Sequence, residues 1–193
     1  MKTATKPYTI PLPTIMKKIL IILILTFNFG FGQEKIDNPD NLFTNSEIND
    51  LDRIVNTFDK IIMNEFKTDS KKEAYLSFSE FAFNNNEFRI FKGFEELNAQ
   101  LPYLKVFDEV WVKLNDKKWP NLNYNKDGKY LKYLMFLGQH SEIIKNYQER
   151  FKIINDIQPS VVGGIKKNME LFNYGNKNDR LFLTIHFFTL LNR

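Results

Sequence analysis

Apolar positions recur at three- and four-residue intervals over most of residues 43–193. That spacing lines side chains along one face of an α-helix. The clearest run is Ile48, Leu51, Val55, Phe58, Ile62 and Phe66, which predicts a helix of about twenty residues. Its start is written just upstream. Thr44-Asn-Ser-Glu47 fits a capping box, in which the Thr44 hydroxyl accepts the amide of residue 47 and the Glu47 carboxylate accepts the amide of residue 44. Phe43 and Ile48 occupy the two positions of a hydrophobic staple around that cap.

A second start follows at Thr68-Asp-Ser70, with Glu73 three residues beyond Ser70. Tyr75, Phe78 and Ala82 then share one helical stripe, with Phe81 beside it. Asn84-Asn-Asn86 interrupts the pattern, because asparagine side chains compete for backbone hydrogen bonds. Ile90, Phe94, Leu97 and Leu101 resume it, with Phe91 adjacent and Gly93 weakening the helix. A strand reading of Leu76, Phe78, Phe81 and Phe83 fails, since the alternation changes phase between Phe78 and Phe81. Most of the rings between Tyr75 and Phe94 are therefore expected in a core, the usual fate of phenylalanine. Phe83 and Phe88, which flank the asparagine run, are left over by both stripes.

Pro102 suits the first turn of a further helix with Tyr103, Phe107, Val110, Trp111 and Leu114 on its face. A polar stretch over 115–129 separates the two halves of the body. Tyr130, Leu131, Leu134 and Met135 open another helix that reaches Gly138, and a Ser141 cap precedes Ile144, Tyr147, Phe151 and Ile154. Residues 138–140 are a break or a kink between them. Pro159-Ser160 opens a helix carrying Val161, Ile165, Met169 and Phe172, ended by Gly175. The last segment, 179–191, is apolar nearly all round, which fits a central buried helix or, alternatively, a strand. No Gly- or Ser-rich linker and no fixed-period repeat divides this body. The expected fold is all-α: a single compact domain of six or seven helices over 43–193, after a polar lead-in at 33–42.

Residues 1–32 read differently. From Met16 onward, Lys17 and Lys18 form a charged n-region, the residues from Ile19 to Phe27 an apolar h-region, and Gly30 and Gly32 the small −3 and −1 positions of a cut before Gln33. The apolar run falls short of the roughly 20 residues needed to span a bilayer, so a signal peptide is expected rather than a stable membrane anchor. The leader resembles those of Bacteroidetes secreted proteins, in which a cut just before Gln is common. Residues 1–15, with Pro7, Pro11 and Pro13, fit no part of a signal peptide, so translation is expected to start at Met16. The chain has no cysteine. That closes the lipoprotein route and rules out disulfides. The expected location is the periplasm or the outside.

Charge changes meaning once the leader is set apart. The whole chain carries a formal +4, which invites a nucleic-acid partner. Residues 1–32, however, hold four lysines and no acid; without them the 27 basic residues fall to 23, against 23 acidic ones. Phosphate binding needs a basic footprint on the folded body. No nucleic acid is expected.

Candidate chemistry is sparse. Of the two histidines, His140 lies two residues from Glu142, and the pair is the catalytic candidate for a small hydrolase. Residues at that spacing on a helix point apart, so the pair is not pre-set to meet. His186, inside the apolar terminal segment, reads as a partly buried, hydrogen-bonded side chain or one on the single exposed edge of that helix. There is no H-E-x-x-H motif, and no metal site is expected. Asn123-x-Asn125-x-Asp127-Gly128 opens like a calcium loop, but position twelve falls on Leu134 where a bidentate Glu is required. An Asn/Asp/Gly turn explains it. No G-x-S-x-G elbow or phosphate loop is present, and no cofactor is expected. Asp108-Glu109 and Glu95-Glu96 are sequence neighbours on solvated faces. Trp119 and Tyr124 lie in polar surroundings outside any apolar stripe, where such rings either cover a core or anchor a partner. The reading these features give is a non-catalytic exported binding module of the cell envelope. It would hold a protein or glycan partner through Trp119 and Tyr124, with Phe83 and Phe88 as a second contact. The rival readings are a hydrolase around His140 and Glu142, and an envelope scaffold component.

Overall fold

The first helix begins where its cap predicts. In the computed structural model, which describes residues 34–84, 93–114 and 121–193, Thr44 Oγ1 accepts the Glu47 amide at 3.3 Å and Glu47 Oε2 accepts the Thr44 amide at 2.7 Å. This reciprocal cap opens α1 (Asn45–Phe66), whose Leu51, Val55, Phe58 and Ile62 are buried. Lys67 ends it in the left-handed region, at φ 51°. Ser70 Oγ then accepts the Glu73 amide, and α2 (Lys71–Asn84) buries Tyr75, Phe78 and Ala82 along the expected stripe. The remaining α-helices are α3 (Phe94–Gln100), α4 (Phe107–Val110), α5 (Lys129–Gly138), α6 (Glu142–Ile154), α7 (Pro159–Lys167) and α8 (Lys177–Leu191). Short 3-10 turns occupy Pro39–Asn41, Leu101–Tyr103 and Met169–Leu171.

The structure is mostly helical, but the all-α expectation needs one correction. The helix expected from Pro102 to Leu114 does not run through. Leu104 is extended, α4 lasts one turn, and Trp111 leaves it in the β region at φ −126° and ψ 156°. Trp111–Lys113 forms β1, which pairs antiparallel with β2 (Leu122–Tyr124), Trp111 opposite Tyr124. Tertiary contacts impose this. The Trp111 indole donates to Thr189 Oγ1 in α8 at 2.8 Å, and the Leu122 amide donates to the Asn192 carbonyl at 2.7 Å. Both strands are thereby fastened to the end of the central helix.

Residues 138–140 are a break. The Ser141 side chain accepts the Ile144 amide and starts α6 afresh. Gly138 permits the tight turn, because a Cβ there would stand 3.0 Å from Lys145 Cα. With α3 and α4 also short, eight α-helices are found among the described residues, more than the six or seven expected.

The terminal segment is the buried helix, not the strand. Every residue from Arg180 to Thr189 in α8 is buried, which is why it shows no polar face. It packs against α1 and β2, while α5 lies against α6. Phe58 sits at the centre of a ring cluster with Phe78, Phe94, Phe187 and Phe188, their centroids 5.2–6.3 Å from its own. Tyr75 joins it at 5.6 Å. The rings of the Tyr75–Phe94 region that the structure describes are core, with Phe83 at its margin. The lead-in docks on this body through buried Ile36 and a pair of reciprocal hydrogen bonds between Asp37 and Asn178. Among the described residues no helix is long and apolar enough to cross a membrane.

Candidate functional site

Of the two expected contact residues that are described, Phe83 lies at a surface opening and Tyr124 does not. Phe83 is near the end of α2, half-buried, with Lys166 Nζ 4.9 Å from its ring centroid. It lines a cavity of about 290 Å³ together with Phe78, Ala82, Val162, Leu190 and Leu191. The one charged liner, Arg193, has its guanidinium turned to other partners: the Ile157 carbonyl, Asn123 Oδ1 and Asp156. The cavity surface is therefore hydrocarbon.

Tyr124 requires a correction. It is 1% exposed, packed against Tyr130, Tyr147 and Phe151. Its hydroxyl meets that of Tyr147 at 2.8 Å. Its polar sequence neighbours misled, because β2 is buried along its whole length, Asn123 included. The Asn123 amide group donates to the Asn155 carbonyl. Trp119 and Phe88 lie outside the described residues.

His140 and Glu142 are both exposed and are not joined by a hydrogen bond. The imidazole stands edge-on to Phe136 at 6.1 Å, and the Glu142 carboxylate pairs with Lys145 at 3.4 Å. The intervening Ser141 hydroxyl is engaged as the cap of α6. His140 does line a second cavity, of about 280 Å³, where α5 and α6 meet the start of α8. Asp37 and Asp179 also face it. Asp179 Oδ2 accepts the Asn173 amide at 2.8 Å, and burial pushes its carboxyl pKa above the ordinary range.

His186 is 0% exposed, more deeply buried than expected, because α8 has no exposed edge between Arg180 and Thr189. Nδ1 lies 2.9 Å from the Tyr147 hydroxyl, which extends the Tyr124–Tyr147 contact into a chain of three. Nε2 is buried, with no hydrogen-bonding partner among the described residues. Burial, reinforced by the positive charge of Arg193, drives the imidazole pKa down to about 3.

The calcium-like stretch is a turn. Asn125 Oδ1 accepts the Asp127 amide, and Asn123 is turned into the body. Among the described residues no group of three or more His, Asp or Glu side chains is arranged to hold a metal.

Sequence reasoning missed one buried ionic cluster. Arg180, 0% exposed, donates through Nε to Asp59 Oδ2 at 3.1 Å, through Nη1 to the Tyr174 carbonyl and through Nη2 to Glu34. The Tyr75 hydroxyl completes it, donating to Asp59 Oδ1 at 2.8 Å beside Thr184 Oγ1. Burial raises the Asp59 carboxyl pKa, with Arg180 pulling against that rise. A lone arginine in an apolar helix was the available signal, since buried guanidinium groups need carboxylate partners. Comparison with protein-family models, with curated proteins and with solved structures finds no match.

Proposed function

We propose that this chain is a non-catalytic binding module, exported by its leader to the periplasm or the outside, that takes an apolar group of an envelope partner into the cavity beside Phe83. The observation that carries the reading is that cavity, about 290 Å³ and walled by Phe78, Ala82, Phe83, Val162, Leu190 and Leu191. A hydrocarbon wall favours an apolar side chain of a protein over a glycan, whose hydroxyls would lose water without gaining partners. Burying a leucine-sized group there contributes about 2 kcal/mol, roughly thirtyfold in affinity. The balanced charge of residues 33–193 supports a protein partner over a nucleic acid.

Titration with the neutral apolar fluorophore N-phenyl-1-naphthylamine tests the cavity. Wild type should give a saturable rise in fluorescence, and Val162→Trp, which fills the space, should abolish it while leaving the far-UV dichroism unchanged. Equal binding by both proteins would overturn the assignment. Export is checked separately by N-terminal sequencing of protein recovered from a periplasmic extract, which should begin at Gln33. Recovery only in the cytoplasm, with residues 16–32 attached, would refute it.

A further inference from the structure

The cavity between α5, α6 and the start of α8 is distinct from the one beside Phe83 and has a different chemistry. One side is apolar, formed by Phe136, Ile143, Leu171 and Phe172. The other carries acceptors. Asp37 is bound to Asn178 on both its backbone and its carboxylate. Asp179 is answered less completely. Its Oδ2 takes one backbone amide, that of Asn173, and among the described residues no lysine or arginine forms an ion pair with it. Its position in the first turn of α8 offsets part of the charge through the helix dipole. The two acidic residues buried among the described residues are treated otherwise. Glu47 is paired with Lys129 at 2.7 Å and Asp59 with Arg180 at 3.1 Å. Asp179 is half-buried, and a carboxylate that holds one amide and no counter-charge leaves net negative charge on the cavity wall, where a cation can form a charge-assisted hydrogen bond with it. The raised carboxyl pKa of Asp179 is what that deficit predicts.

We infer that this cavity binds a primary ammonium group on a short apolar body, the charge meeting Asp179 and the body lying against Phe136 and Phe172. Three features select that class. The uncompensated charge is negative, so the ligand is a cation. The cavity holds about 280 Å³, enough for one ring or a short alkyl chain. Phe136 and Phe172 line the cavity together with Asp179, and aromatic rings attract ammonium ions as well as hydrocarbon.

Benzylamine and its neutral counterpart benzyl alcohol separate charge recognition from apolar packing. Each is titrated into the 15N-labelled protein at pH 8 while backbone amide shifts are followed. Benzylamine should give saturable shifts at Leu171, Asn173, Asn178 and Asp179, with benzyl alcohol about 10-fold weaker or worse, as expected for loss of a charge-assisted hydrogen bond. Asp179→Asn keeps an oxygen for the Asn173 amide and should weaken benzylamine by a similar factor. Leu171→Lys, at a position 72% exposed, places a competing cation at the mouth without touching the core and should do the same. Nα-acetyl-lysine methylamide, run in parallel, tells a lysine side chain from a free amine as the carrier. Either ranking of the two ammonium compounds supports the site. Equal binding of benzyl alcohol, no loss in Asp179→Asn, or no saturable shift in the millimolar range would overturn it. None of these outcomes bears on the Phe83 cavity, so the two assignments fail separately.

Discussion

His186 should make this protein acid-labile in a window set by one imidazole. The ring is held among Tyr147, Phe182 and Phe187, with centroids at 5.3, 6.2 and 5.5 Å. An imidazolium needs acceptors at both nitrogens; Nδ1 has the Tyr147 hydroxyl and Nε2 has none. Aromatic faces would return at most about 2 kcal/mol to a buried cation, well short of its desolvation. The folded chain therefore keeps the ring neutral down to about pH 3, whereas the unfolded chain protonates near 6.5. Because the folded pKa lies below the unfolded one, the unfolded state binds the proton first as the pH falls. The stability is complete above about pH 6.5 and is lost progressively below it. At 1.36 kcal/mol per unit, moving from pH 7 to pH 5 removes about 2 kcal/mol, a sizeable part of a net stability of roughly 5–15 kcal/mol. Urea unfolding at the two pH values, for wild type and for His186→Gln, isolates the effect. Carboxylates titrate alike in both proteins and cancel in the comparison. Wild type should lose about 2 kcal/mol more than the variant over that interval. Identical pH dependence in the two proteins would show that the imidazole is not desolvated in the way described.

Removing Asp59 should be the most damaging single change to the ionic cluster. Asp59→Ala leaves Arg180 Nε buried and unpaired, with only the exposed carboxylate of Glu34 still on the guanidinium, and should cost about 3 kcal/mol in urea unfolding; a loss under about 1 kcal/mol would mean that water reaches the guanidinium. Thr189→Val keeps the shape but removes the acceptor of the Trp111 indole, and about 1–3 kcal/mol should be lost, measured in the same way. Gly138→Ala sets a helix-propensity gain of up to about 1 kcal/mol against a new methyl 3.0 Å from Lys145 Cα. Because α5 and α6 bury side chains in one shared core and cannot separate without disturbing it, a net loss of about 1–2 kcal/mol is expected, and a raised melting temperature would show that the two helices have slack.

How far the sequence foretold these features depends on how local their causes are. The start of α1 was legible because the cap, the staple and the apolar stripe all lie within five residues of one another, and they agree. The core fate of Tyr75, Phe78 and Phe94 was legible for the same reason, as a three- and four-residue spacing. The strands were not. A three-residue strand carries too few positions to show a period of two, and Trp111 sits at helical spacing from Phe107. What turns it out of the helix is Thr189, seventy-eight residues away. Tyr124 was misjudged through the same gap: its flanking asparagines look solvated, yet the Asn123 side chain is spent on Asn155 and on Arg193 Nη2.

The candidate sites show the converse. Phe83 was singled out because no stripe accounted for it, and a ring that the helical pattern cannot bury is one that ends at the margin of the packing, where a cavity remains. His140 was singled out as one of only two histidines, and it too borders a cavity. In both cases the residue was marked by failing to belong to a local pattern, whereas its neighbours in space, Val162 and Leu190 for one and Asp179 and Phe172 for the other, belong to helices whose own patterns are regular. A cavity is the place where two well-patterned elements do not quite meet. Single residues can betray its edge, but its walls are set by how α2, α7 and α8, or α5, α6 and α8, pack together. The two proposals rest on what each gap exposes: hydrocarbon beside Phe83, and at Asp179 a carboxylate whose Oδ2 takes one backbone amide.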